Sequence, residues 1–124
     1  MLTLKKSVIV FIILFFSSCR NPVTPDDLLV SSMRFEPPLF DPFKQNTKLS
    51  FNLLLPSKVS VYILDENHIK VKTIAENLVL TKGSHSLGWK GDTDSYLFVP
   101  SGTYIGQIVT EKRKFESTVE VFHW

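Results

Sequence analysis

Beyond residue 28, apolar and polar positions alternate with a period of two through most of the chain, which is the signature of half-buried strands. From Thr47 to Leu55, Leu49, Phe51, Leu53 and Leu55 alternate with Lys48, Ser50 and Asn52, so one set faces a core and the other faces solvent. Pro56 interrupts that run. Val59, Val61 and Ile63 then alternate with Lys58, Ser60 and Tyr62 as far as Asp65-Glu66-Asn67-His68, a polar cluster that reads as a hairpin turn. Apolar and β-branched residues return from Ile69 to Glu76, with Val71 and Ile74, and again from Leu78 to Leu80, before a break at Lys82-Gly83. Ser84 to Lys90 places Leu87 and Trp89 on one face. A last pair, Gly102 to Glu111 and Phe115 to Phe122, meets at the charged tip Glu111-Lys112-Arg113-Lys114. Upstream, Leu28 to Phe35 sits between prolines and is expected as an edge strand, because proline withholds a ladder donor. No stretch after Cys19 sustains apolar residues at i, i+3, i+4 and i+7. The fold class expected is therefore all-β, a sandwich of about seven short strands.

The amino-terminal segment breaks this period. Lys5 and Lys6 precede Val8 to Phe16, an unbroken apolar run, and Ser17, Ser18 and Cys19 follow it. Such a run rises roughly 14 Å as a helix, short of the ~30 Å hydrocarbon core, so the layout is that of a cleaved signal peptide over residues 1–18. Phe16-Ser17-Ser18-Cys19 resembles the lipobox of bacterial lipoproteins, with Phe16 where that motif usually has Leu. The resemblance implies that Cys19 is the lipid attachment site and the first residue of the mature chain, and that the protein is held at a membrane by this lipid. Residues 19–30, with Pro22 and Pro25, then read as a tether to a domain over residues 31–124. Arg20, rather than Asp, follows the cysteine, which by the same resemblance implies export to the outer membrane in a proteobacterial host. The competing reading is an ordinary secretory signal in which Cys19 is incidental.

Length and charge narrow the field. Removing 18 of 124 residues leaves 106, room for one domain with one modest core. Setting aside Lys5 and Lys6 from the 14 basic residues leaves 12 against 12 acidic ones, so the mature chain has no net charge. Nucleic-acid binding depends on Lys and Arg displacing counterions from phosphates, and a neutral chain without a long basic run argues against that partner. A single cysteine forms no internal disulfide and lacks the companions of a thiolate metal cage.

Two separated stretches resemble one family. Gly83-Ser84-His85-Ser86-Leu87-Gly88-Trp89-Lys90-Gly91, followed by Val99-Pro100-Ser101-Gly102-Thr103-Tyr104, is similar to the Ig-like domain of the flagellar hook-capping protein FlgD and to related carboxy-terminal secretion-sorting modules. Phe40-Asp41-Pro42-Phe43, leading into Thr47 to Phe51, looks like the Asn-Pro-Phe segment and first strand of those modules. The resemblance implies an Ig-like or fibronectin-III-like sandwich, with Gly83, His85, Trp89, Gly91, Pro100, Gly102 and Tyr104 as fold-motif residues. This chain departs from the family pattern at Lys90, where Asp is preferred, and at Tyr96, where a loop Gly is usual. The residues themselves support structural roles. Trp89 suits a packing anchor, Tyr104 a buried ring with its hydroxyl on a nearby backbone group, and Pro100 and Gly102 suit positions i+1 and i+3 of a type I turn.

Candidate chemistry is sparse. Asp92-Thr93-Asp94 raises a calcium reading, but the ligand at Tyr96 and the Gly at Leu97 that an EF-hand loop needs are missing, and a polar turn with Asp side chains bonding their own backbone is preferred. His68, His85 and His123 are widely spaced outside any zinc pattern. No nucleophile elbow or phosphate-cradling loop appears, so neither enzyme activity nor a cofactor or metal is expected. Phe122-His123-Trp124 either seals the sandwich or forms a partner-binding tail.

The preferred expectation is a non-catalytic, membrane-anchored lipoprotein whose Ig-like domain contacts another envelope protein, through a sheet edge or the Asp92 to Val99 loop. One alternative is a role in flagellar hook-cap assembly or secretion sorting, although those modules normally close longer proteins. Another is a carbohydrate-binding accessory, for which Tyr96 and Phe98 would have to stand exposed in one row.

Overall fold

The computed structural model describes residues 26–123. The expected signal segment, Cys19, the first part of the tether and Trp124 lie outside the described residues. Eight strands run in chain order: β1 (Val30–Glu36), β2 (Leu39–Phe40), β3 (Thr47–Leu53), β4 (Ser57–Leu64), β5 (Lys70–Leu80), β6 (Gly83–Trp89), β7 (Gly102–Val109) and β8 (Lys114–Val121). They form a three-stranded sheet in the order β1-β3-β6 and a five-stranded sheet in the order β2-β8-β7-β4-β5. Only β2 with β8 is parallel among these pairs. The described residues contain no helix, and the all-β sandwich read from the period of two is the fold.

Alternation sets the core. Leu49, Phe51 and Leu53 of β3 turn inward and are buried together with Val59, Val61 and Ile63 of β4, Ile108 of β7, and Val119 and Val121 of β8. The expected inward place of Leu55 is not filled: β3 stops at Leu53, the Leu54 amide donates to the Leu29 carbonyl at 2.9 Å, and Leu55 is 52% exposed. Phe35 on β1 enters the core over Gly106 of β7, where an added Cβ would stand 2.5 Å from Phe35 Cζ. That glycine is the hole into which the first strand's aromatic knob fits.

β1 is an edge strand, as its flanking prolines predict. The eighth strand arises where the chain changes sheets. Past Pro37 and Pro38 it leaves β3 and runs beside β8, where Glu120 donates to the Pro38 carbonyl at 2.8 Å and Phe122 to that of Phe40 at 3.0 Å. A parallel strand of two residues has no alternation to read. The Asp65 turn is built as its composition predicts: the Asp65 carboxylate accepts from the amides of Asn67 and Ile69 at 2.9 and 3.0 Å. The segments 69–76 and 78–80 form one strand, irregular in register against β4, with Asn77 in the left-handed region (φ 52°) and its amide on Ser60 Oγ at 3.1 Å.

Candidate functional site

Most of the motif residues gather at one end of the sandwich, around Trp89. β6 ends there because the backbone turns at Gly91, whose φ of +79° favours glycine. A Cβ at Gly91 would also lie 2.7 Å from Pro42 Cγ. The Trp89 ring is buried, meets Phe40 and Tyr104 edge-on with centroids 5.7 Å away in both cases, and donates from Nε1 to the Asp92 carbonyl at 2.9 Å. Tyr104, at the start of β7, is buried too, and its hydroxyl donates to the Pro100 carbonyl at 2.7 Å. This contact has the form of the tyrosine corner of Ig-like sandwiches. Burial, with Asp65 and Glu66 adding to it, holds the Tyr104 phenol above the ordinary tyrosine value.

Gly102 opens β7 opposite Val121. Gly83 and His85 lie at the other end of β6. Gly83 has φ +118°, and a ring nitrogen of His85 is 2.7 Å from the Thr81 carbonyl. The three histidines stay separate. His68 pairs with Glu116 at 3.2 Å, and His123 has its ring on the Val99 carbonyl at 2.7 Å and its amide on Ser101 Oγ at 3.0 Å. Hydrogen bonds from Gln107 and then His68 hold the Glu116 carboxyl below its ordinary value.

The loop between β6 and β7 carries its polar groups differently from the sequence expectation. Own-backbone turn bonds come from Thr93, whose Oγ1 accepts from the amides of Ser95 and Leu97 at 3.2 and 3.4 Å, while Tyr96 donates to the Thr93 carbonyl at 2.9 Å. Both aspartates reach β5 instead. Asp94 Oδ1 accepts from the Thr73 amide at 2.9 Å and the Asp94 amide donates to the Val71 carbonyl at 3.1 Å, so the loop continues the hydrogen bonding of that edge. Asp92 is buried and its carboxylate takes Lys72 Nζ at 3.2 Å, a pair that satisfies a charge inside the loop. Lys72 also sits 5.1 Å from the centroid of Tyr96. Tyr96, where the family has a loop Gly, is in the left-handed region with φ 64°. Lys72 was not singled out from the sequence, and within its strand nothing but position 20 residues from Asp92 distinguishes it from its neighbours.

Among the described residues no cluster of His, Cys, Asp and Glu suits a metal ion. Asp41 is buried with one carboxylate oxygen on the Phe43 amide at 3.0 Å and the other without a hydrogen bond among the described residues, Lys44 Nζ standing 4.0 Å off. Tyr96 and Phe98 are exposed, and the Phe98 ring packs on Phe43 at 4.6 Å while Tyr96 packs on Lys72. The paired Trp89 and Tyr104 on a two-sheet frame define an Ig-like β-sandwich module. No family model and no curated protein matches the chain. Among solved structures it is similar to the crystal structure of FlgD from P. aeruginosa, with 27% identity, a TM-score of 0.48, and coverage of 62% of this chain and 63% of that one. The match thus spans less than two thirds of that structure.

Proposed function

We propose that this protein is a non-catalytic, lipid-anchored component of the bacterial envelope whose sandwich receives an added strand from a protein partner along the outer edge of β6. The observation that carries this reading is the contrast among the four sheet edges. β1 has a register shift between Ser31 and Arg34 and carries Arg34 and Glu36, β2 is two residues long, and β5 is covered by the loop over Val71 to Thr73 and is irregular in register beyond it, with Asn77 in the left-handed region. Each is a device that blocks unwanted pairing. β6, Gly-Ser-His-Ser-Leu-Gly-Trp, has regular register against β3, no Lys, Arg, Asp or Glu, and no strand on its outer side among the described residues. An extended partner segment pairs with an edge of this kind through its main chain. The motif residues favour a binding module over a reaction, since the polar atoms of Trp89 and Tyr104 are used on the chain's own carbonyls.

The anchor is tested by intact mass of the protein from membranes of its native host against a Cys19→Ser variant. A diacylglycerol or triacyl adduct on a chain starting at Cys19 is expected, and an unmodified soluble chain overturns it. The edge is tested by a photo-crosslinking residue at Ser86, which is exposed on β6, against one at exposed Glu76 on β5. Adducts from position 86 alone are expected; none, or equal yield from both, removes the β6 edge. A second reading, a role in flagellar cap assembly or secretion sorting, rests on the Trp89-x-Gly91 and Pro100-Ser101-Gly102-x-Tyr104 pair, and predicts an unmodified Cys19 with the protein in flagellar or secreted fractions.

A further inference from the structure

The first described residues are tied to the sandwich. Asp26 lies 3.8 Å from Lys112, Asp27 accepts from Arg113 Nε at 2.7 Å, and the Leu29 carbonyl accepts from the Leu54 amide at 2.9 Å. The chain therefore arrives at one defined end, between the β7–β8 tip and the β3–β4 turn. Leu28, Leu54 and Leu55 are 56, 42 and 52% exposed there, on the two segments that the Leu29 to Leu54 bond joins. Single exposed leucines are ordinary, but a group of them is not. Lys58, Lys82 and Lys114, all exposed, lie at the start of β4, between β5 and β6, and at the start of β8 at this same end; exposed Glu111 at the tip offsets one of them, so beyond the paired Lys112 and Arg113 the end remains basic.

We infer that this end of the sandwich rests on the bilayer, with the leucines at the headgroup boundary and the lysines toward anionic lipid. The inference rests on lipidation of Cys19. Apolar side chains rimmed by basic ones are the composition of an interfacial contact, and Lys or Arg near an anionic surface is drawn to it electrostatically. Chain length supplies the orientation. From Cys19 to Asp26 the backbone reaches at most ~25 Å. Strands of this length run about the same ~25 Å, so the end carrying Tyr96, Leu97 and Phe98 meets the membrane only with the tether drawn out to its limit, and a relaxed tether leaves that end pointing away.

The test uses the full chain acylated in its native host, with Leu55→Cys or Tyr96→Cys carrying an environment-sensitive fluorophore, in phosphatidylethanolamine/phosphatidylglycerol vesicles that contain a lipid-bound quencher. Acylation occupies the Cys19 thiol, so only the introduced cysteine is labelled. Quenching at 55 is expected to exceed that at 96 by about threefold, and Leu28→Asp, at an exposed position, to reduce it. Equal quenching at the two positions, no effect of Leu28→Asp, or blue-shifted but unquenched emission at 55, the sign of a second copy or another protein over the leucines, overturns the membrane face while the anchor stands. Intact mass of the same sample reads the anchor by itself: an unmodified Cys19 removes the anchor, and the membrane face falls with it.

Discussion

Replacing Gly91 by alanine separates two physical roles of one residue. At φ +79° a Cβ meets the following carbonyl, which costs about 1–2 kcal/mol for an L residue. The added carbon would also lie 2.7 and 2.8 Å from Pro42 Cγ and Cβ and 3.3 Å from Phe40 Cε2. A proline ring can change only its pucker, which moves Cγ but not the equally close Cβ, so overpacking of this kind adds about 1–3 kcal/mol. Together the two effects amount to about 3 kcal/mol, enough to lower the melting temperature of a domain this size by about 15 °C. Gly83 is the control. It has φ +118° but nothing within 4 Å of its Cβ position, so Gly83→Ala carries the backbone cost alone, about 1–2 kcal/mol, without the overpacking. Urea unfolding followed by tryptophan emission, and thermal unfolding followed by circular dichroism, compare the two variants. Pro42→Ala in the Gly91→Ala background should recover about 1 kcal/mol as a coupling energy. Equal losses at Gly91 and Gly83, with no recovery from Pro42→Ala, would refute the claim that contact with Pro42 makes position 91 special.

Tyr104→Phe removes the bond to the Pro100 carbonyl and is expected to cost about 1 kcal/mol. Because the Tyr104 pKa is raised in the folded state, first by burial and then by Asp65 and Glu66, its stabilisation is present below the unfolded value near ~10 and lost as pH rises through the folded one. Unfolding free energies of the wild type and Tyr104→Phe measured from pH 8 to 11 should therefore converge at the alkaline end, and a constant gap would contradict the assignment. Tyr96→Gly should raise stability by about 0.5 kcal/mol, read as a higher urea midpoint, since it relieves the left-handed φ at the loss of a weaker contact with Lys72. Tyr96→Ala keeps the Cβ and should show no such gain. Gly106→Ala should destabilise by about 2 kcal/mol by displacing Phe35, as read in the same denaturation series.

What the sequence made legible follows from how far along the chain each contact reaches. The core faces of β3 and β4 came from an alternation written into neighbouring residues, and the Asp65 turn from a side chain that bonds amides two and four positions on. Tyr104 reaches back four residues to Pro100 and Trp89 forward three to Asp92, so their buried structural character could be read from the motif. Lys72 on Asp92, Asp94 on Thr73 and His123 on Val99 join residues 20 to 24 positions apart, and no local pattern specifies such partners. β2 is a strand because β8 lies beside it, and Leu55 stands outside the alternation where β3 has ended and Leu54 bonds Leu29.

The same division accounts for the candidate site. A binding edge is defined by what the other edges lack, which is a property of the assembled sheets. The loop from Asp92 to Phe98 looks from its composition like the place for a ligand, yet its aspartates are spent on Lys72 and Thr73, closing the edge of β5. With the start of the β5 edge covered by the loop, β6, a stretch with no charged side chain and little to draw notice in the sequence, is the edge on which the proposed incoming strand would pair. A loop variant that loses the Asp94 contact would uncover the edge of β5 over Val71 to Thr73 without touching β6, so under the proposed strand addition the choice of edge would depend on the polar residues of the loop as much as on the strand that would receive the partner.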